Sequence, residues 1–123
     1  MASAEPTILI VDDDLFVRTA VRDSLADDGY HMVEAADGDA ALAELEKVRA
    51  DLVILDLLMP NRSGVETLAE IRRLYPSLKV LIVSSLDTES MVEDLKRQGA
   101  NHFIAKPFHP LEMSMAVRQL MGA

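Results

Sequence analysis

Acidic residues gather where the first apolar segment of the chain ends. The stretch ILIVDDDLF, residues 8–16, runs from four apolar residues directly into Asp12, Asp13 and Asp14. Carboxylates repel one another, and burying one without a partner is costly. A cluster of this kind suits either a turn and helix cap, where aspartate is favoured, or a site for a cation that prefers oxygen ligands. On these three residues alone both interpretations stay open.

Other polar residues end or directly follow later apolar segments. They are Asp56 at the end of DLVILD, Ser84 and Ser85 at the end of KVLIVSS, and Lys106 after HFIA. A carboxylate is a competent nucleophile for phosphoryl transfer. Mg²⁺ takes one or two carboxylates and completes its shell with waters and phosphate oxygens. An ammonium group and a hydroxyl can stabilise the charge of the transferring group, so these residues together would suit metal-assisted phosphoryl transfer.

The elements that must position these residues alternate between strands and helices. Five apolar runs predict strands, and three of them are nearly continuous in Ile, Leu and Val, as expected when both faces are covered. The predicted strands are Thr7–Val11, His31–Ala35, Leu52–Leu55, Val80–Ser84 and His102–Ala105. Helical spacing follows each of them, marked in the first case by Phe16, Ala20 and Leu25. Five alternations predict right-handed crossovers and a doubly wound parallel sheet of the α/β class.

Local signals place the helix ends. They are a turn at Asp37-Gly38, a capping box of Ser63 and Glu66, Pro76 after the third helix, Gly99 after the fourth and Pro110 in the first turn of the fifth. Ligands of such sheets bind beyond the carboxyl ends of the strands. Because the acidic, hydroxyl and amine groups all stand at those ends, the fold itself predicts that they meet.

Composition limits the possible partners and surroundings. The 123 residues carry a formal charge of −9 and no cysteine, which argues against nucleic-acid binding and excludes thiolate chemistry and disulfides. The segment MASAEPT lacks the features of a signal peptide, and no apolar run approaches a membrane span. We therefore expect a cytoplasmic chain, residues 1–123 forming a single domain with no output domain, no membrane contact and no nucleic-acid partner.

With these residues in place, the chain resembles the receiver domain of two-component response regulators, in particular the single-domain, chemotaxis-regulator-like members. The matching segments are ILIVDDD, DLVILDLLMPNRSG, VLIVSS and GANHFIAKPF. The resemblance covers essentially the whole chain. It implies a flavodoxin-like fold, a five-stranded parallel sheet in the order 2-1-3-4-5 flanked by five helices.

The resemblance also implies a role for each acidic position. Asp56 corresponds to the aspartate that accepts a phosphoryl group. Asp13 corresponds to a direct Mg²⁺ ligand, and Asp12 to an acidic residue that reaches the metal through water. Asp56 and the backbone carbonyl of Leu58 complete the protein's ligands for Mg²⁺, with Mn²⁺ as the alternative ion.

The remaining positions correspond to phosphoryl-binding and switching groups. Lys106, Ser84 and the adjoining Ser85 would bind the phosphoryl group. Ser84 would move toward it, and Phe103 would then rotate inward. The residue Pro107 corresponds to a proline that usually follows a cis peptide bond.

The implied function is signalling by phosphorylation rather than enzymatic turnover. A histidine kinase or phosphotransfer protein would supply the phosphoryl group, and an unknown downstream protein would read the surface of helix 4, strand 5 and helix 5. The chain would be a monomer or a phosphorylation-dependent dimer. Leu58 and Leu86 stand where related domains often carry polar residues, and we expect them to shield the acyl phosphate and prolong its lifetime.

Two other functions compete with this interpretation. Asp12-x-Asp14 after a strand also resembles the opening motif of haloacid-dehalogenase-type phosphatases, in which Asp12 would be the nucleophile and Asp14 the acid and base. A binding module with a vestigial pocket is the other alternative, and the complete set of Asp12, Asp13, Asp56, Ser84 and Lys106 argues against it. A dinucleotide-binding domain is disfavoured because no glycine-rich turn follows the first strand.

Overall fold

Strands and helices alternate through the whole of the described chain. The computed structural model describes residues 5–59, 62–86 and 88–122. The strands are β1 (Thr7–Val11), β2 (His31–Ala35), β3 (Leu52–Asp56), β4 (Lys79–Ser84) and β5 (His102–Ala105). The helices are α1 (Leu15–Leu25), α2 (Gly38–Lys47), α3 (Gly64–Leu74), α4 (Glu89–Arg97) and α5 (Pro110–Met121).

The five strands form one parallel sheet in the order β2-β1-β3-β4-β5. This confirms the predicted fold class and strand order. The predicted bounds are also correct except that β3 continues to Asp56 and β4 begins one residue earlier, at Lys79. Asp56 is thus the last residue of its strand, opposite Val83 of β4.

Helices cover both faces of the sheet and divide the core into two clusters. Alternate residues of the central strand β3 contribute to opposite clusters, Val53 and Leu55 to one and Leu52 and Ile54 to the other. All five residues of β3 are buried, which explains its continuous apolar sequence. Asp56, as the last residue of this buried strand, therefore lies at the carboxyl edge of the sheet near the centre of the molecule.

The predicted helix ends are correct except at the start of α2, where Asp37 is the cap and Gly38 is already the first helical residue. Ser63 and Glu66 form the capping box of α3, and Pro110 lies in the first turn of α5. Gly99 follows α4 with a φ of +108°, a conformation that side chains with a Cβ rarely adopt. Asp14 caps α1, its side chain accepting a hydrogen bond from the Phe16 backbone N–H.

Of the three apolar residues that marked α1 in the sequence, only Leu25 lies on the face that meets the sheet. Phe16 is 84% exposed and Ala20 is also exposed, whereas Val21 and Leu25 are buried and Val17 packs against them. Residues 17, 21 and 25 are four positions apart, which places them on one stripe of the helix, and this stripe faces the core. A large aromatic side chain is consequently left on the surface two residues after the helix cap.

No helix among the described residues is both long enough and apolar enough to cross a membrane.

Candidate functional site

Three carboxylates meet beyond the ends of β1 and β3. Asp12, Asp13 and Asp56 each place an oxygen within 4.8 Å of the others. Asp12 and Asp56 are buried, and Asp13 is exposed. Two buried carboxylates and one accessible carboxylate form a negative pocket that opens to solvent on one side. Hard oxygen donors of this kind fit Mg²⁺ or Mn²⁺, whose coordination shell waters and phosphate oxygens can complete.

Lys106 joins the two buried carboxylates. Its ammonium nitrogen lies 2.9 Å from Asp12 Oδ2 and 3.3 Å from Asp56 Oδ1. Burial alone would lower the pKa of Lys106, but the hydrogen bond and charge of Asp12, with those of Asp56, outweigh it and raise the pKa. The amine is therefore charged at neutral pH.

The backbone around Lys106 fixes where its side chain begins. The Lys106 N–H donates to the Ser84 carbonyl at 2.9 Å, and the peptide bond to Pro107 is cis. Lys106 is therefore tied to the end of β4 as well as to the acidic pocket.

The pKa of Asp56 is raised above its ordinary value of 3.8. Burial is the largest cause of its raised pKa, followed by the charge of Asp12. The charge and hydrogen bond of Lys106 and a hydrogen bond from the Leu58 backbone oppose the rise without cancelling it. A cation or a second ammonium group in the pocket would therefore stabilise the ionised form of Asp56.

The backbone of Asp56 is held by close packing against the start of α3. A Cβ on Gly64 would lie 2.2 Å from the Asp56 carbonyl oxygen, and the Gly64 N–H donates to the Leu57 carbonyl at 2.9 Å. Only glycine permits this approach. Gly64 lies in the matching segment DLVILDLLMPNRSG, but its residue type and spacing alone do not predict this role. A glycine at the start of a helix eight residues after the strand end was the available signal.

Ser84 and Ser85 occupy different environments at the end of β4. Ser84 is fully buried, and its hydroxyl accepts a hydrogen bond from the Leu86 N–H at 3.1 Å. Ser85 is exposed and lines a groove beside Lys106. In the parallel register Ser84 lies opposite Ala105 and Ile82 opposite Phe103, so the serine and the aromatic side chain share one face of the sheet.

The predicted switching residue is Phe103, and the predicted shielding residues are Leu58 and Leu86. Phe103 is half-buried and packs against the core cluster of that face. Leu58 is 54% exposed and Leu86 is 42% exposed. Each leucine follows a site residue, Asp56 or Ser84, by two positions, and both side chains are free to meet a partner or to cover a group bound in the pocket.

Arg18 belongs to the site and was not singled out from the sequence. Its Nη1 donates to the Asp12 carbonyl at 2.7 Å, and its Nε donates to Glu34 Oε1 at 2.8 Å. An arginine one turn after a helix cap is common, so the spacing alone gave little signal. The contact depends on the neighbouring strand β2, which supplies Glu34.

An apolar groove of about 630 Å³ runs from the site along α1. Phe16, Val17 and Ala20 form one wall, and Pro107 and Phe108 of the loop before α5 form the other. Lys106, which pairs with the carboxylates of the acidic pocket, also lines this groove, so the groove lies beside the pocket.

A parallel α/β sheet with an acidic pocket and a paired lysine at its carboxyl edge defines a class of domain suited to binding a cation and a phosphoryl group. Residues 8–118 match the response regulator receiver domain family. The chain belongs to this family, whose members are signalling domains of two-component systems, bind Mg²⁺ in an acidic pocket and interact with histidine kinases or phosphotransfer proteins.

Individual relatives match over nearly their whole length. The chain is 40% identical to the chemotaxis protein CheY of Listeria monocytogenes over 102 residues, 82% of this chain and 86% of that protein. It is 33% identical to sporulation initiation phosphotransferase F of Bacillus subtilis over 114 residues, 93% of this chain and 92% of that one. The solved chemotaxis response regulator CheY4 of Vibrio cholerae superposes with a TM-score of 0.88 at 30% identity, covering 95% of this chain and 99% of that one.

Proposed function

We propose that Asp56 accepts a phosphoryl group from a phosphohistidine. The proposal rests mainly on the position of Asp56. It is buried at the end of β3, close to the carboxylates of Asp12 and Asp13 and to the Lys106 ammonium group. A carboxylate oxygen of Asp56 would attack phosphorus and form the P–O bond of an acyl phosphate. The bond from phosphorus to the donor nitrogen would break, and the imidazole would keep that electron pair and take up a proton.

The other site residues would each stabilise part of the transferring group. Mg²⁺ held by Asp12, Asp13, Asp56 and the Leu58 carbonyl would supply positive charge to the phosphoryl oxygens. Lys106 would leave its hydrogen bond with Asp56 and pair with a phosphoryl oxygen instead. The hydroxyls of Ser84 and Ser85 would donate to phosphoryl oxygens, which requires Ser84 to give up its contact with the Leu86 N–H.

The output surface in this proposal is formed by α4, β5 and α5. Leu95 is the buried residue of α4, so little apolar packing holds this helix in one position. Movement of Ser84 would open space beside Phe103 on the same face, and inward rotation of the ring would shift the equilibrium between two surfaces. Leu111 and Met115 of α5, each more than half exposed, are available to a downstream protein.

The donor would approach along the groove of α1. Phosphoryl transfer requires the donor histidine to reach Asp56, and Lys106 and Ser85 connect the pocket to that groove. An apolar helix face of the donor suits the exposed Phe16 and the proline-rich wall opposite. The donor and the downstream protein would then use different surfaces, since Phe16 lies on α1 and Met115 on α5.

Intact-mass spectrometry after incubation with acetyl phosphate tests the phosphoacceptor. We expect one phosphoryl increment on the wild-type chain with Mg²⁺, and none on Asp56→Asn or in excess chelator. Asp94→Asn, a change to an exposed carboxylate of α4, serves as the matched control and should keep the increment.

The same experiment separates the competing functions. An increment that survives Asp56→Asn and disappears in Asp12→Asn would support the dehalogenase-type mechanism. The structure gives that mechanism little support, because Asp14 caps α1 and Asp12 is paired with Lys106. If neither acetyl phosphate nor a phosphorylated histidine kinase modifies the wild-type chain, the vestigial binding module would replace our proposal.

A further inference from the structure

Arg18 contacts the acidic pocket through the backbone of Asp12. Its side chain is only 15% exposed, although it lies on a surface helix. Nη1 donates to the Asp12 carbonyl oxygen at 2.7 Å. Hydrogen bonds from a charged donor are short and strong, so this contact holds the backbone of β1 at the point where the strand ends.

Glu34 holds the guanidinium group in place. It lies on β2 opposite Ile10 of β1 and accepts from Arg18 Nε at 2.8 Å. Its other oxygen lies 3.2 Å from Nη1 of Arg22, one turn further along α1. Two arginines therefore share one carboxylate. Arg18 donates to the Asp12 carbonyl, whereas Arg22 donates to the Met32 carbonyl.

Asp12 is held separately through its carboxylate and through its backbone carbonyl. Asp14 N–H and Lys106 Nζ each bond a carboxylate oxygen of Asp12, both at 2.9 Å. A cation in the pocket would compete with the Asp14 N–H for the carboxylate of Asp12. Arg18 instead contacts the backbone carbonyl oxygen of Asp12, an atom separate from the carboxylate oxygens that would bind a cation.

We propose that Arg18 is a positioning residue, which fixes the backbone of Asp12 so that Asp12 and Asp13 present their carboxylates to a divalent cation. Glu34 balances the charge of Arg18 and keeps the guanidinium group on the carbonyl oxygen. This inference rests on the proposed function, in which these carboxylates bind Mg²⁺.

The direction of the effect distinguishes positioning from simple electrostatics. If Arg18 acted only as a positive charge near the pocket, removing it would strengthen Mg²⁺ binding, because cations repel. If Arg18 positions the ligands, removing it weakens binding despite that loss of repulsion. Residues that orient metal ligands typically change metal affinity by about 10- to 100-fold when they are replaced.

Mg²⁺ titration of the unphosphorylated chain, followed by NMR, provides the test. We expect Arg18→Met to weaken binding about tenfold, with Arg18→Lys recovering part of the loss because an ammonium group can still donate to one carbonyl oxygen. Arg22→Met is the matched control, since it removes the same charge from the same helix and the same partner, Glu34. It should leave the dissociation constant within about twofold of wild type.

Unfolding curves in chelator must show that each variant is folded. If Arg18→Met does not fold, the Mg²⁺ affinity of Arg18→Lys alone tests the positioning role. Unchanged or tighter Mg²⁺ binding by the folded Arg18 variants would overturn the positioning role, as would an equal loss in Arg22→Met. A wild-type chain that binds no Mg²⁺ would instead overturn the proposed function, and the inference with it.

Discussion

The ammonium nitrogen of Lys106 lies closer to Asp12, at 2.9 Å, than to Asp56, at 3.3 Å. Of the two carboxylates, Asp56 therefore makes the longer and weaker contact with the lysine. In the proposed reaction Lys106 exchanges its Asp56 contact for a phosphoryl oxygen and can keep its contact with Asp12. The lysine would then remain anchored to β1 while the charge on β3 changes.

Replacing Lys106 should destabilise the fold. Lys106→Met leaves two buried carboxylates without their counter-ion, and we expect the free energy of unfolding in chelator at pH 7 to fall by about 1 to 3 kcal/mol. The folded-state pKa of Lys106 is raised, so its contribution is present at neutral pH and is lost as the pH rises through that value, above the ordinary 10.5. Urea unfolding at several pH values measures this. Lys47→Met, at an exposed pair, should change little, and equal stability of the two variants would contradict the prediction.

Neutralising Asp56 should stabilise the metal-free fold. Burial and Asp12 raise the pKa of Asp56, so its stabilising contribution is full below the ordinary value of 3.8 and is lost as the pH rises through the raised value. We expect Asp56→Asn to gain about 1 to 3 kcal/mol at pH 7 in chelator and nothing near pH 3. Thermal or urea unfolding against pH tests this, with exposed Asp27→Asn as control. A gain that is independent of pH would point to packing rather than charge.

Magnesium should favour the wild-type chain over Asp56→Asn. A cation that binds only the folded state stabilises it by RT ln(1 + [Mg²⁺]/Kd), and Asp56→Asn removes one ligand, which raises the dissociation constant. At Mg²⁺ concentrations 100-fold above the dissociation constant, the wild-type chain should gain about 2.7 kcal/mol. Unfolding curves over a Mg²⁺ series measure the gain. Equal Mg²⁺ gains in the two chains would show that Asp56 is not a ligand.

Truncating Phe16 should slow transfer from a protein donor selectively. Phe16→Ala removes the exposed aromatic wall of the groove without touching the pocket. With an autophosphorylated histidine kinase that recognises the wild-type chain, we expect the transfer rate to fall about tenfold, equal to 1.4 kcal/mol. Labelling by acetyl phosphate should stay the same.

Met115→Ala is the control for the other surface, since Met115 is 58% exposed on α5. It should leave both rates unchanged and weaken only a downstream partner. A larger effect of Met115→Ala than of Phe16→Ala on kinase transfer would move the donor to the α5 surface.

Leu58 should lengthen the lifetime of the acyl phosphate. Its exposed side chain follows Asp56 by two residues, and an apolar group there hinders water from reaching the phosphorus. We expect Leu58→Asn to lose its phosphoryl group roughly threefold faster than the wild-type chain. Decay after removal of the donor, followed by mass spectrometry, gives both rates. Leu111→Asn changes an equally exposed leucine of α5 and should decay at the wild-type rate; a decay of Leu58→Asn no faster than this control would refute the shielding role.

The sequence by itself determined the alternation of elements, the class of the sheet and the edge at which the site lies. Continuous apolar strands, caps and turn residues are local signals, and parallel pairing then brings the strand ends together without further information. Asp12, Asp13, Asp56, Ser84 and Lys106 could therefore be assigned to one place before any coordinates were known.

Only the tertiary structure decided which side of α1 meets the sheet and what holds the site in position. Phe16 has an apolar sequence signature but lies on the surface, because packing against β1 and α5 buries the stripe that carries residues 17, 21 and 25. The Arg18–Asp12 contact needs Glu34 from another strand, and the role of Gly64 needs the backbone of Asp56 against it. Such contacts join residues that sequence spacing does not relate, since they exist only after the sheet has assembled.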